Sequence, residues 1–246
     1  MSDLLTLDHV RAAHARIRDS IVETPTLHSQ TLSKLTGANI YLKFENLQFT
    51  AAYKERGALN AILLLSEEQR SKGVIAASAG NHAQGLSYHG TRLGIPVTIV
   101  MPVPTPTVKV MQTESVGGKV VLFGETFDDA YKHARQLEAE QGLTFVHPFD
   151  DEEVITGQGT IAKEILEDYS RPIDAIFCCV GGGGLISGIA AYIKAVKPEI
   201  KIIGVEAQGA DAMTKSLKAN KRVVLDSVSL FAEGAALKQV GELSFK

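Results

Sequence analysis

The chain has 246 residues, of which 45% are hydrophobic and 22% charged, a globular composition that argues against disorder and allows one or two domains. Lysine plus arginine number 25 against 28 acidic residues, so the net charge is −3 and no basic stripe marks a nucleic-acid surface. No apolar run reaches membrane-spanning length and the first residues lack a signal-like pattern, so the expectation is a cytoplasmic protein with no membrane partner.

In chain order, Thr6 is placed to cap a helix whose apolar positions Leu7, Val10, Ala13 and Ile17 recur at helical spacing. Alternation of Ile40, Leu42 and Phe44 predicts a strand over 39–45. Short apolar strands follow at 74–77, 97–101, 120–123 and 144–146, separated by helical stretches such as 83–93 and 127–141. A strand over 173–180, a helix over about 185–196 and a strand over 201–206 come last. Such alternation indicates parallel sheet buried on both faces. The proline-rich stretch 101–106 reads as a rigid connection inside a domain rather than a linker, because alternation resumes directly after it.

Cys178 and Cys179 are neighbours on a predicted strand, pointing to opposite faces, and read as buried small hydrophobes. The seven histidines form no paired metal-ligand pattern, so no metal is expected.

Three constellations carry chemistry. Gly181-Gly182-Gly183-Gly184 lies between a strand and a helix, where backbone N–H groups meet the positive end of the helix dipole, and a phosphate is the natural guest. A plain tight turn is the alternative, and no lysine follows to complete a Walker loop. Glu206, at the end of the next strand, mimics the ribose-binding acid of dinucleotide folds, but the third glycine of that fingerprint is missing. Ser78-Ala79-Gly80-Asn81-His82-Ala83-Gln84-Gly85 can present backbone donors and the Asn81 amide to an anionic oxygen, or can be an Asn-capped helix start. Lys54, in Tyr53-Lys54-Glu55-Arg56-Gly57, can form a Schiff base with a cofactor aldehyde, yet beside Glu55 and Arg56 it also reads as part of a solvated charge cluster.

Six stretches occur in order: Lys43-Phe44-Glu45-Asn46, Tyr53-Lys54-Glu55-Arg56-Gly57-Ala58, the Ser78–Gly85 loop, Gly157-Gln158-Gly159-Thr160, Gly181–Leu185 and Phe231-Ala232-Glu233-Gly234. Together they resemble the threonine dehydratase (threonine ammonia-lyase) branch of the pyridoxal-phosphate enzymes with the tryptophan-synthase-β-like fold. The resemblance implies an α/β chain with two three-layer domains. The larger would comprise residues 1–65 and 151–246 and the smaller residues 66–150, with the cofactor between them. It implies that Lys54 carries pyridoxal 5'-phosphate and later serves as base at the substrate Cα. Asn81 would bond the phenolic oxygen, and Tyr53 would pack near the ring. Gly181, Gly182, Gly183, Gly184 and Leu185 would cradle the phosphate, with Glu233 and Gly234 approaching the ring. Ser78, Gly80 and His82 would surround the carboxylate of a small amino-acid substrate. The implied reaction is dehydration and deamination of L-threonine, and of L-serine, in isoleucine biosynthesis by a dimer or tetramer of identical chains. A racemase or related lyase on the same fold, and a non-catalytic phosphate-ligand binder, are the alternatives.

Departures from the resembling enzymes are visible. Ala52 stands where a serine is common, and Ala212 where metal-binding relatives carry an acid. Ala79 stands where serine racemases have a second serine that returns a proton to the opposite face. The resembling enzymes also continue past the counterpart of Lys246, through strands and a Ser or Cys facing the pyridine nitrogen. A chain truly ending there would be expected to bind the cofactor weakly and turn over slowly, or to depend on a partner chain; the contrary expectation is a fragment of a longer, active enzyme.

Overall fold

The computed structural model describes residues 5–246. In chain order the first elements are α1 (Leu7–Ile17), β1 (Thr26–His28), α2 (Gln30–Thr36), β2 (Tyr41–Lys43), α3 (Lys54–Leu63) and α4 (Glu67–Lys72). The middle of the chain alternates β3 (Val74–Ala77), α5 (Asn81–Arg92), β4 (Val97–Met101), α6 (Thr107–Ser115), β5 (Lys119–Leu122), α7 (Phe127–Gln141) and β6 (Thr144–Phe145). It closes with α8 (Glu152–Asp168), β7 (Ala175–Cys179), α9 (Gly184–Val196), β8 (Lys201–Val205), α10 (Ala212–Ala219) and α11 (Glu242–Phe245).

Strands β3 to β6 form a parallel sheet in the order β5-β4-β3-β6. Its central strand, Val-Ile-Ala-Ala, is buried along its whole length, as expected where helices cover both faces. On one face Ile75, Ala77 and Val100 pack against Ala130 and Ala134 of α7. On the other, Val74, Ala76, Ile99 and Met101 join Leu59 and Ile62 of α3 and Leu86 of α5. The middle of the chain is thus three-layered, and the expected strands and helices there are present within a residue or two.

Outside this sheet the parallel expectation needs two corrections. β1 and β2 pair antiparallel, Thr26 opposite Lys43 and His28 opposite Tyr41. β7 and β8 are parallel, but only one face is covered: Ile176, Cys178 and Ile202 meet Ile189, Tyr192 and Ile193 of α9, while Phe177 and Val205 are exposed. The predicted strands 39–45 and 173–180 are shorter, as β2 and β7, although single backbone bonds such as Phe44 N to Pro25 O at 3.1 Å and Val180 N to Val205 O at 2.9 Å continue just beyond their ends.

Helix α3 is the structural axis. Every residue from Glu55 to Ile62 is buried. A Cβ on Gly157 of α8 would lie 2.6 Å from Cα of Gly57, so the two helix backbones touch directly. At the N-terminus Thr6 accepts from His9 N at 3.3 Å, the expected cap of α1.

Candidate active site

Three loops leave the C-terminal ends of parallel strands on the same side: 78–80 after β3, 146–151 after β6 and 180–183 after β7. That edge is where ligands bind in α/β sheets. Together with the start of α3 and the segment 232–237 these loops enclose a cavity of about 330 Å³, within the range of small-molecule sites. Tyr53, Lys54, Asn81, Gly181, Gly182, Gly183, Gly184, Leu185, Glu233 and Gly234 all line it.

Lys54 is the first residue of α3, and its Nζ donates to the carbonyl oxygen of Pro148 at 2.6 Å. Burial brings its pKa down to about 8, with the nearby Cys179 pulling slightly upward. The neighbouring Tyr53 ring centroid lies 5.5 Å from Nζ, and burial pushes the Tyr53 phenol above its ordinary value. The expectation of a solvated charge cluster is overturned. Glu55 and Arg56 have no exposed surface, and the Arg56 guanidinium bonds Glu45 and Glu164 at 2.8 Å. Those partners lie 11 and 108 positions away, beyond the reach of local pattern.

The glycine loop is built for close approach. Gly183, the residue before α9, has φ +98°, and no side chain caps the helix. The first N–H groups of a 13-residue helix therefore face the cavity, a ready anion site. A Cβ on Gly184 would come within 2.7 Å of the Phe149 carbonyl oxygen, while Gly182 O accepts from Gly241 N at 2.9 Å. Gly234 differs: no protein atom lies within 4 Å of where its Cβ would stand. The residues present therefore fit pyridoxal phosphate, with an amine at one end, uncapped helix donors at the other and room beside Gly234.

Asn81 opens α5 rather than capping it, since Gly80 occupies the cap position without a side-chain bond, so the Asn-cap alternative fails. Ser78, Gly80 and His82 are not among the lining residues. The Gly80 N–H donates to Ser78 Oγ at 3.4 Å. His82 turns into the core, where its Nε2–H donates to Val146 O at 3.0 Å, and burial lowers its pKa to about 3. Glu206 does not face a ribose site: its carboxylate accepts from Met213 N and Thr214 N of α10, both at 2.8 Å. Only Cys178 of the cysteine pair is buried; Cys179 is exposed and lines the cavity.

Sequence reasoning missed Phe149, Cys179, Ala232, Ala235 and Leu237 of the lining. Position was the available signal for two of them, since Phe149 follows the C-terminal end of β6 and Cys179 ends β7. Among the described residues no group of His, Cys, Asp and Glu is arranged to hold a metal.

The chain is similar to known proteins over nearly its whole length. The biosynthetic L-threonine dehydratase of Burkholderia multivorans is 50% identical over 94% of this chain and 46% of its own length. The chloroplastic biosynthetic threonine dehydratase of Arabidopsis thaliana is 49% identical over 94% of this chain and 39% of its own. The chain thus spans less than half the length of these two curated relatives. Among solved structures, the processed form of threonine deaminase isoform 2 from Solanum lycopersicum superposes with a TM-score of 0.92 at 46% identity, covering 97% of this chain and 66% of that one. Maize serine racemase gives 0.95 at 35% identity, covering 98% of this chain and 73% of that one. The model of the pyridoxal-phosphate dependent enzymes matches residues 17–246, and the chain belongs to that family.

Proposed function

We propose that this chain carries the active site of an L-threonine ammonia-lyase, forming 2-oxobutanoate and ammonia from L-threonine and pyruvate from L-serine. One observation carries the reading: the Lys54 amine, with its pKa lowered to about 8, shares a cavity with the uncapped glycine start of α9. The dehydratase and deaminase names of the similar proteins support the choice of substrate.

Pyridoxal phosphate, when bound, supplies an electron sink for the pair left at Cα once its proton is removed. Lys54 is the residue placed to take that proton. The N–H groups of Gly184 and Leu185 would hold the phosphate, and Tyr53 would flank the ring. Asn81 would offer its amide to the phenolic oxygen, and Glu233 and Gly234 would form the side of the cavity next to the ring. Of the 78–81 loop only Asn81 lines the cavity, and its backbone would meet the substrate carboxylate. His82 supports that loop through Val146 rather than touching substrate. The cavity would lie between a larger unit, 1–65 with 151–246, and a smaller one, 66–150, in a cytoplasmic dimer or tetramer.

Inversion is the competing reaction, given the likeness to serine racemases. Ala79 packs against the core and has no proton to return to the opposite face of Cα, which favours elimination. Incubating the purified protein with L-threonine and pyridoxal phosphate is expected to yield 2-oxobutanoate and ammonia in equal amounts. With L-serine, pyruvate is expected to exceed D-serine; D-serine accumulating faster than pyruvate would overturn the reading.

A further inference from the structure

Buried between α3 and α5 is a carboxylate–imidazole contact that the chemistry above does not use. Glu55, the residue after Lys54, receives the Nε2–H of His89 at 3.3 Å, and both side chains are fully buried. The other carboxylate oxygen of Glu55 accepts the backbone N–H of Thr50. His89 lies two turns along α5 from Asn81, so the contact joins the lysine helix to the helix that carries the opposite wall of the cavity. A buried charged or polar pair is costly unless satisfied, and a hydrophobic pair of similar size would pack as well or better. Its place beside Lys54 therefore calls for a reason other than stability.

The surroundings supply one. Gly85 of α5 sits against the same residue, its would-be Cβ 3.2 Å from both N and Cα of Glu55. Phe49 and Tyr88 stack with centroids 5.3 Å apart, a second tie between α5 and the loop leading to Lys54. Between these two ties Ala51 is held at φ +57°, a left-handed conformation unfavourable for alanine. The loop that delivers Lys54 is thus strained and clamped to α5 at both ends.

We propose that Glu55 and His89 are positioning residues for Lys54: their buried contact, with the Thr50 N–H bond, fixes the amine relative to the Asn81 wall of the cavity. This inference rests on the proposed role of Lys54. The test compares wild type with Glu55→Gln, His89→Asn and the double variant Glu55→Leu/His89→Leu. For each, thermal unfolding is measured, together with the visible circular dichroism of bound pyridoxal phosphate per mole attached at Lys54, and kcat and KM for threonine.

The double variant leaves no unpaired buried charge, so its unfolding temperature is expected to match or exceed wild type. Its visible dichroism is expected to fall severalfold and its kcat by roughly tenfold, with KM little changed, because a small misplacement of a reacting group costs on that scale. Glu55→Gln keeps the Thr50 N–H bond through its amide oxygen and can donate its amide N–H to Nε2 of His89 once the ring takes the other tautomer, so it is expected to retain most of the signal. His89→Asn is too short to reach Glu55 and should lose it. A double variant that is stable with full dichroism and kcat would overturn the proposal. Should that variant not fold, Glu55→Gln losing as much signal as His89→Asn at an unchanged unfolding temperature would overturn it equally. Absence of label on Lys54 in the wild type would instead contradict the site itself.

Discussion

Lys54 Nζ and the carbonyl oxygen of Pro148 are 2.6 Å apart although 94 residues separate them in sequence. The residues after Pro148 extend this link. Phe149 packs beneath Gly182 and Gly184, and the Asp150 carboxylate accepts from Glu242 N and Leu243 N, both at 2.9 Å. One short segment therefore sets the distance between the amine and the anion-binding start of α9.

The lowered pKa of Lys54 predicts how attachment of pyridoxal phosphate responds to pH. With a pKa of about 8, about a quarter of the amine is unprotonated at pH 7.5, against about a thousandth for an ordinary lysine. The second-order rate of attachment should rise with pH and level off above about 8. Borohydride trapping at a series of pH values measures it; a rise continuing to pH 10 would contradict the burial argument.

Gly184 and Gly234 should respond differently to alanine. At Gly184 the added methyl meets the Phe149 carbonyl oxygen at 2.7 Å, so Gly184→Ala should cost roughly 1–3 kcal/mol of stability as well as cofactor affinity. At Gly234 the methyl meets no protein atom within 4 Å, so Gly234→Ala should leave unfolding unchanged and weaken cofactor binding alone. Denaturant titration with and without pyridoxal phosphate separates the two effects.

Much of the fold was legible because the apolar strands around β3 are short, buried and punctuated by glycine and proline. The glycine loop and Lys54 stood out for the same local reasons. What stayed hidden depended on distant partners. β1, three residues with no alternation, exists because Tyr41–Lys43 pairs with it. Glu55 and Arg56 looked solvated because His89, Glu45 and Glu164 come to them only through folding. The family resemblance assigns His82 to substrate, yet it lies in the first turn of α5 and the Val146 carbonyl draws its ring inward.

Acid should destabilise the protein through its buried neutral histidines. Burial lowers His82 to about 3 and His147 to about 4, while an unfolded histidine titrates near 6.5. His147 Nδ1 stays unprotonated as it accepts from Asp150 N at 2.8 Å. Below about pH 6.5 the unfolded chain binds protons that the folded one refuses, so this stability is complete above 6.5 and lost as pH falls towards 4. The slope is at most about 1.4 kcal/mol per pH unit for each histidine. His82→Gln, which can still donate to Val146 O, should flatten the dependence; an unchanged slope in urea titrations from pH 7 to 4.5 would show that His82 is not held neutral.

The most direct test of the whole account is peptide mapping after borohydride reduction of the protein loaded with pyridoxal phosphate. The account predicts a single pyridoxyl-phosphate adduct on the peptide containing Lys54, and Lys54→Ala lacking both the adduct and threonine deamination. An adduct on another lysine such as Lys43, or deamination surviving in Lys54→Ala, would contradict it.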